Sequence, residues 1–132
     1  IDPIKTLKEC KRVLKRDGVL IIVDRAHNNS TPDSEIERML NIKYDKEFLI
    51  KNHRPKNMIL TRKENGEHEH RFSEWKQFFQ EAGFNLLESV IIKTTSDENI
   101  KIKNDDNIKE IFVDYNLGAF GNRKVAFVLE SV

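Results

Sequence analysis

The run Val19-Leu20-Ile21-Ile22-Val23 limits what this chain can fold into more than any other feature. Continuous apolar character with a majority of β-branched residues predicts a strand buried on both faces, the signature of an interior strand in a parallel sheet. Immediately before it, Asp17-Gly18 is a turn pair, so a preceding helix should stop at Arg16. That helix has its own start signal: Asp2 can cap it, Pro3 suits its first position, and Ile4, Leu7, Cys10, Val13 and Leu14 recur at helical spacing. Lys5, Lys8, Arg12 and Lys15 fall on the opposite face. A helix feeding through a tight turn into an interior strand is the second half of a βαβ unit, which predicts an α/β fold. The unit's first strand is expected to precede Ile1.

A second continuous apolar run, Val125 to Leu129 within 124–130, predicts another interior strand. Between the two runs the pattern changes several times. Asp24 to Ser30 is polar and sits at the carboxyl end of the first strand, where open sheets place their ligands. Thr31 is placed to cap a helix with Ile36, Met39 and Leu40 as its apolar stripe, and 44–51 predicts a short helix around Phe48 and Leu49. Asn65-Gly66 between extended segments predicts a β-hairpin over 57–72. Ser73 is read as the cap of a helix carrying Trp75, Phe78 and Phe79, ended by Gly83. A long strand over 84–95 follows, then a polar loop over 96–107, then 108–115, which reads as extended or helical. Gly118-Ala119-Phe120-Gly121 reads as a loop.

Composition removes whole classes of function. The 132 residues suit one domain, and the longest apolar run is far short of the about 20 residues of a spanning helix, which argues against a membrane protein. One cysteine, Cys10, excludes an internal disulfide and points to a reducing, cytoplasmic setting. The 23 basic and 22 acidic residues nearly cancel, yet residues 1–63 hold 15 Lys/Arg against 9 Asp/Glu and residues 64–132 hold 8 against 13. Six of the early cations lie between Lys5 and Arg16 on one helix with no interleaved aromatics, a solvated helix face rather than a nucleic-acid interface.

Three segments together resemble the C-terminal half of class I, Rossmann-like S-adenosylmethionine-dependent methyltransferases. Leu7 through Arg12-Val13-Leu14-Lys15-Arg16-Asp17-Gly18 into Val19–Asp24 is similar to that family's helix, its "RVLKPGG" turn and its fifth strand, with Arg16-Asp17-Gly18 in place of Pro-Gly-Gly. Ser73-Glu74-Trp75 through Glu81-Ala82-Gly83-Phe84 resembles the helix and "aGF" start of the sixth strand, and Arg123 to Leu129 is placed like the closing seventh. The resemblance implies one parallel strand with antiparallel closing strands, flanking helices and an inserted hairpin. It also implies three portions: 1–30 as helix and strand of the core, 31–72 as an insertion over the substrate, and 73–132 as closing helix and strands.

The family's cofactor contacts lie in a glycine-rich turn after its first strand and an acidic residue after its second. Neither exists here, since no G-x-G joins a strand to a helix. The implied function is therefore a fragment of an enzyme that uses S-adenosylmethionine to methylate a small-molecule acceptor, with no cofactor-binding residue in the fragment and no turnover expected of it alone. An alternative is a self-standing binding or dimerisation module. With no upstream strand present, Val19–Val23 becomes an apolar edge, and a homodimer through it is expected.

By position after the fifth strand, Asp24, Arg25 and His27 would face the acceptor. His27 is the candidate base, because imidazole titrates near neutral pH, against the plainer reading of a surface loop histidine. Asp24 either orients His27 or serves as a turn residue. His68, His70 and Arg71 would share the polar face of the second hairpin strand, with Glu69 on the other side, and contact acceptor there. His68 and His70 with His53 or His27 lack a third ligand at diagnostic spacing, so no metal site is assigned. Arg54 and Arg62 offer charge for a carboxylate or phosphate. Cys10 reads as a small buried hydrophobe.

Overall fold

The computed structural model describes residues 2–95, 102–114 and 123–132. The elements run α1 (Pro3–Val13), β1 (Val19–Arg25), α2 (Asp33–Leu40), α3 (Lys46–Lys51), α4 (Phe72–Ala82), β2 (Phe84–Thr94), β3 (Lys109–Val113) and β4 (Lys124–Ser131). They form two compact units: Ile1–Ser30 with His70–Val132, and Thr31–Glu69.

The first unit is α/β, with a four-stranded mixed sheet in the order β1-β4-β2-β3. β4 runs antiparallel to both β1 and β2, while β2 and β3 are parallel. The two apolar runs are thus neighbours, with Leu20 opposite Leu129 and Ile22 opposite Phe127. One sheet face carries the core. Val125, Phe127 and Leu129 of β4 and Ile91 of β2 are fully buried there, with Leu7, Trp75, Phe79 and Ala82 from the helices. Phe127 is the hub, its ring 5.0 Å from Phe79, 5.8 Å from Trp75 and 5.9 Å from Phe72.

β1 departs from its expected burial. Val19 and Ile21 are 51% and 62% exposed, because β1 is an edge strand and only its Leu20 and Ile22 side packs on the core. A continuous apolar run reports a strand, but its burial on both faces needs a layer on each side.

Helix boundaries follow local chemistry. The Asp2 carboxylate accepts from the backbone N–H of Ile4 at 3.0 Å and Lys5 at 3.3 Å, as its sequence position predicts. α4 begins one residue before Ser73: Arg71 is the N-cap, and the Glu74 carboxylate reaches back to its N–H at 3.0 Å. Ser73 instead donates its own N–H to the Asn29 side chain at 2.7 Å. Gly83 ends α4 at φ 88°, a left-handed position that glycine takes without steric cost. The segment 108–115 contains a strand over Lys109–Val113, and Ile102 of the connection before it packs on the core. The rest of the loop expected over 96–107, residues 96–101, and the loop expected at 118–121 lie outside the described residues.

In the second unit the cap of α2 falls on Pro32 rather than Thr31. α3 is capped by Asp45, which accepts from Phe48 N–H at 2.8 Å, and Tyr44 stacks on Phe48 at 3.8 Å. The hairpin over 57–72 does not form. The turn around Asn65-Gly66 is present, but it is helical in character: Asn65 N–H donates to Thr61 C=O and Glu67 N–H to Arg62 C=O, both at 3.1 Å. Such a turn does not return the chain alongside itself. The incoming arm pairs elsewhere, through Tyr44 N–H to Leu60 C=O at 3.0 Å and Arg62 N–H to Ile42 C=O at 2.9 Å. On the outgoing arm, Glu69 is buried and binds the Arg62 guanidinium, which also reaches Glu67 at 3.2 Å and Met39 C=O at 3.1 Å. Arg62 is therefore an internal anchor of this unit.

Candidate functional site

The site is built from the carboxyl end of β1 outward. Asp24 is exposed and accepts from the N–H of Arg25 at 2.7 Å, so it acts as a local turn-type acceptor. Arg25 closes β1 opposite Lys124, and its carbonyl accepts from the Trp75 indole at 3.2 Å. The next residues bend toward the start of α4. His27 donates its N–H to His70 C=O at 2.8 Å and accepts from Phe72 N–H at 2.9 Å, so His27 and Arg71 form a parallel bridge. Both backbone groups of His27 are fixed, and the residue is half-buried.

Five of the sequence-derived candidates, Asp24, Arg25, His27, His70 and Arg71, belong to this first unit, while His68 belongs to the second. His70 and His68 do not share a strand face, because residues 67–70 form no strand. His70 is packed edge-on against Phe78 at 4.9 Å and Trp75 at 5.5 Å, with Nδ1 3.9 Å from the Glu74 carboxylate. Glu74 also binds Arg71 Nη1 at 3.1 Å. Trp75, Phe78 and Phe79 pack together and on the core, and Cys10 is half-buried.

A second cluster lies beside the first, made of residues that sequence reasoning passed over. Asn28, buried, accepts from Asp105 N–H at 2.8 Å and donates to Lys103 C=O at 3.3 Å. Asn29 N–H reaches the Asp106 carboxylate at 3.3 Å, and the Ser30 hydroxyl donates to Asp105 at 2.8 Å. The Ser30 hydroxyl holds the Asp105 carboxyl below the usual carboxylate range, with Lys103 and Arg123 acting in the same direction. Asp106 binds Arg123 Nη2 at 2.7 Å, both side chains more than nine-tenths buried. Nε and Nη1 of Arg123 are buried without a partner among the described residues, and groups of that kind require an oxygen acceptor. The adjacent Asp105-Asp106 pair and a lone arginine heading an apolar run were the available signals, but only the sheet order brings them to one place.

A groove of about 440 Å³ runs along α4, lined by Asn29, Ser73, Lys76, Gln80, Phe84 and Leu86 among others. Its volume is in the range of small-ligand sites. Among the described residues no group of three or more His, Cys, Asp or Glu is arranged to hold a metal. No helix of the described residues is long and apolar enough to cross a membrane. Comparison with known protein families, curated proteins and solved structures returns no match.

The described residues do not fit S-adenosylmethionine. Among them, the glycines with positive φ are Gly66 and Gly83, in a loop turn and at the C-terminus of α4. Neither stands between the carboxyl end of a strand and a helix N-terminus, where backbone can approach a nucleotide-like ligand closely. A Cβ at Gly83 would meet only the flexible Lys11 side chain, so that position is no cradle.

Proposed function

We propose that this chain is the acceptor-side, C-terminal portion of a Rossmann-like methyltransferase that acts on a small molecule. The observation that supports it most is topological. The strand that follows Arg16-Asp17-Gly18 lies antiparallel beside the strand in the closing position, and the strand opened by Gly83-Phe84 lies on the latter's other side. These are the segments that carry the resemblance, and the reading requires the first two to be adjacent and antiparallel.

In this reading the chain's residues bind and orient the acceptor, and no methyl-transfer step is assigned to them alone. His27, its backbone held on both sides, presents an imidazole at the carboxyl end of β1 that can take the acceptor's proton. Asp24 and Arg25 flank it, and His70 and Arg71 are fixed next to it through Glu74. Held positions of this kind are what alignment of an acceptor needs. His68 is retained only as a candidate acceptor contact of the second unit.

Thermal denaturation with S-adenosylmethionine is expected to leave Tm unchanged; a rise of several degrees would overturn the assignment of the cofactor contacts to another part of the enzyme. The methyltransferase reading itself falls if the coding sequence within about 150 residues upstream of Ile1, a typical domain's span, lacks a strand followed by a G-x-G turn. One observation favours a dimerisation module as the second reading: the open edge of β1.

A further inference from the structure

The groove along α4 differs in composition from the chain around it. Trp75, Phe79 and Ala82 turn one face of the helix to the core, while Ser73, Lys76, Gln77 and Gln80 recur at helical spacing along the groove. Gly83 ends the helix and β2 starts at once, so buried Phe84 joins buried Phe79 in the floor, with half-buried Leu86 after it. Charged residues make up 34% of the chain, yet Lys76 is the one charged side chain among the described residues that line the groove. Both glutamines of the chain, Gln77 and Gln80, line it together with Asn29 and Asn85.

The polar groups of the groove are left available at both ends. Near the first turn of α4, Asn29 uses its side-chain oxygen to accept from Ser73 N–H at 2.7 Å, which leaves its NH2 group to donate. The Ser73 hydroxyl is exposed and bonded to no described residue. The Lys76 ammonium lies 5.5 Å from the centre of the Phe72 ring and has no carboxylate partner among the described residues. At the other end, the exposed amides of Gln80 and Asn85 likewise bond to no described residue. Seven residues of helix separate Ser73 from Gln80, a span of about 10 Å. The groove therefore has a cationic, donor-rich end, an apolar floor and an amide end that both donates and accepts.

We infer that this groove binds a nucleoside monophosphate, with the phosphate at Asn29, Ser73 and Lys76 and the base edge against Gln80 and Asn85. An ammonium flanked by hydroxyl and amide donors suits a phosphate, whose oxygens only accept. A side-chain amide sets a donor beside an acceptor, the pattern that matches a base edge and adenine's above all. The sugar and ring then lie over Phe79, Phe84 and Leu86. An apolar ligand would leave the amides unpaired, and a cation would be repelled by Lys76. A nucleic-acid strand needs a row of cations, and the groove has one. Its volume of about 440 Å³ accommodates a single small molecule. The strand that the proposed function requires before Ile1 would pair with β1, and β4 stands between β1 and β2, so the groove makes no use of that edge. The inference does not rest on the methyl-transfer reading.

Because the chain has only two glutamines and both line the groove, their side-chain amide signals report on it directly in NMR of the 132-residue chain carrying 15N-glutamine. Titration with adenosine 5′-monophosphate is expected to move both signals saturably, with adenosine and inorganic phosphate each binding about ten-fold more weakly. Lys76→Ala is expected to weaken the monophosphate about ten-fold and leave adenosine unchanged, while Gln80→Ala weakens the monophosphate and adenosine about five-fold and leaves phosphate unchanged. Lys51→Ala, which removes an exposed cation of the other unit, is expected to change nothing. S-adenosylmethionine, with a sulfonium cation at its 5′ position, is expected not to displace the monophosphate. Glutamine signals that stay in place at millimolar monophosphate, phosphate binding as tightly as the monophosphate, or an equal loss in Lys51→Ala would overturn the inference. The substituted side chains are exposed, and circular dichroism of each variant establishes that the fold is kept.

Discussion

β1 and β4 carry nearly interchangeable apolar runs, yet one lines the interior of the sheet and the other its rim. In β4, Val125, Phe127 and Leu129 have no exposed surface, while in β1 Val19 and Ile21 lie open. The difference is neighbours, not composition. β4 is paired on both sides and covered by α4's aromatic face, whereas β1 is paired on one side and covered on one face. Apolar content states how much surface a strand could bury; the sheet order decides how much it does.

Substitutions along the two strands should separate them sharply. Phe127→Ala removes the ring that Phe72, Trp75 and Phe79 surround, and is expected to cost about 3–5 kcal/mol in urea unfolding. At the head of β4, Asp106→Ala strands the buried Arg123 guanidinium and is expected to cost about 3 kcal/mol by the same measurement. Ile22→Ala, on the core side of β1, should cost about 2 kcal/mol. Its neighbour Ile21→Ala should cost under about 0.5 kcal/mol at concentrations where the chain is monomeric. Equal losses at 21 and 22 would break the contrast between the faces of β1. The smallest effect concerns Asp105, whose folded pKa is depressed by Ser30. Its contribution is present above the unfolded pKa and fades as pH falls through the folded value. In Ser30→Ala the Asp105 titration, followed by NMR, should move up toward the ordinary 3.8.

What was legible in the sequence was whatever is decided within one turn or one strand. Asp2 and Gly83 act over a few residues, so the start of α1 and the end of α4 could be read from them, whereas α1 stops at Val13, short of the Asp17-Gly18 turn. Asn65-Gly66 also specified a turn, but not what its arms would do; the arms were claimed by Ile42 and Tyr44 on one side and by Arg62 on the other. The candidate site shows the same limit. Asp24 to Ser30 stands out as a polar stretch after a strand, while Asp105 and Asp106 join it across separations of 75 to 77 residues, and Asp106 brings in Arg123. No spacing rule reaches that far; only the order of strands does.

The Trp75 indole, anchored to the last carbonyl of β1 and enclosed by Phe78, Phe79 and Phe127, has an optical consequence. It is the chain's single tryptophan, so red-edge excited fluorescence sees the first unit and is blind to residues 31–69. Helical ellipticity, by contrast, sums over both. Recording the two signals through one denaturation experiment therefore tells whether the units melt together, without any label being introduced: coincident curves mean one cooperative body, and an ellipticity change that precedes the fluorescence change means that the 31–69 unit lets go first.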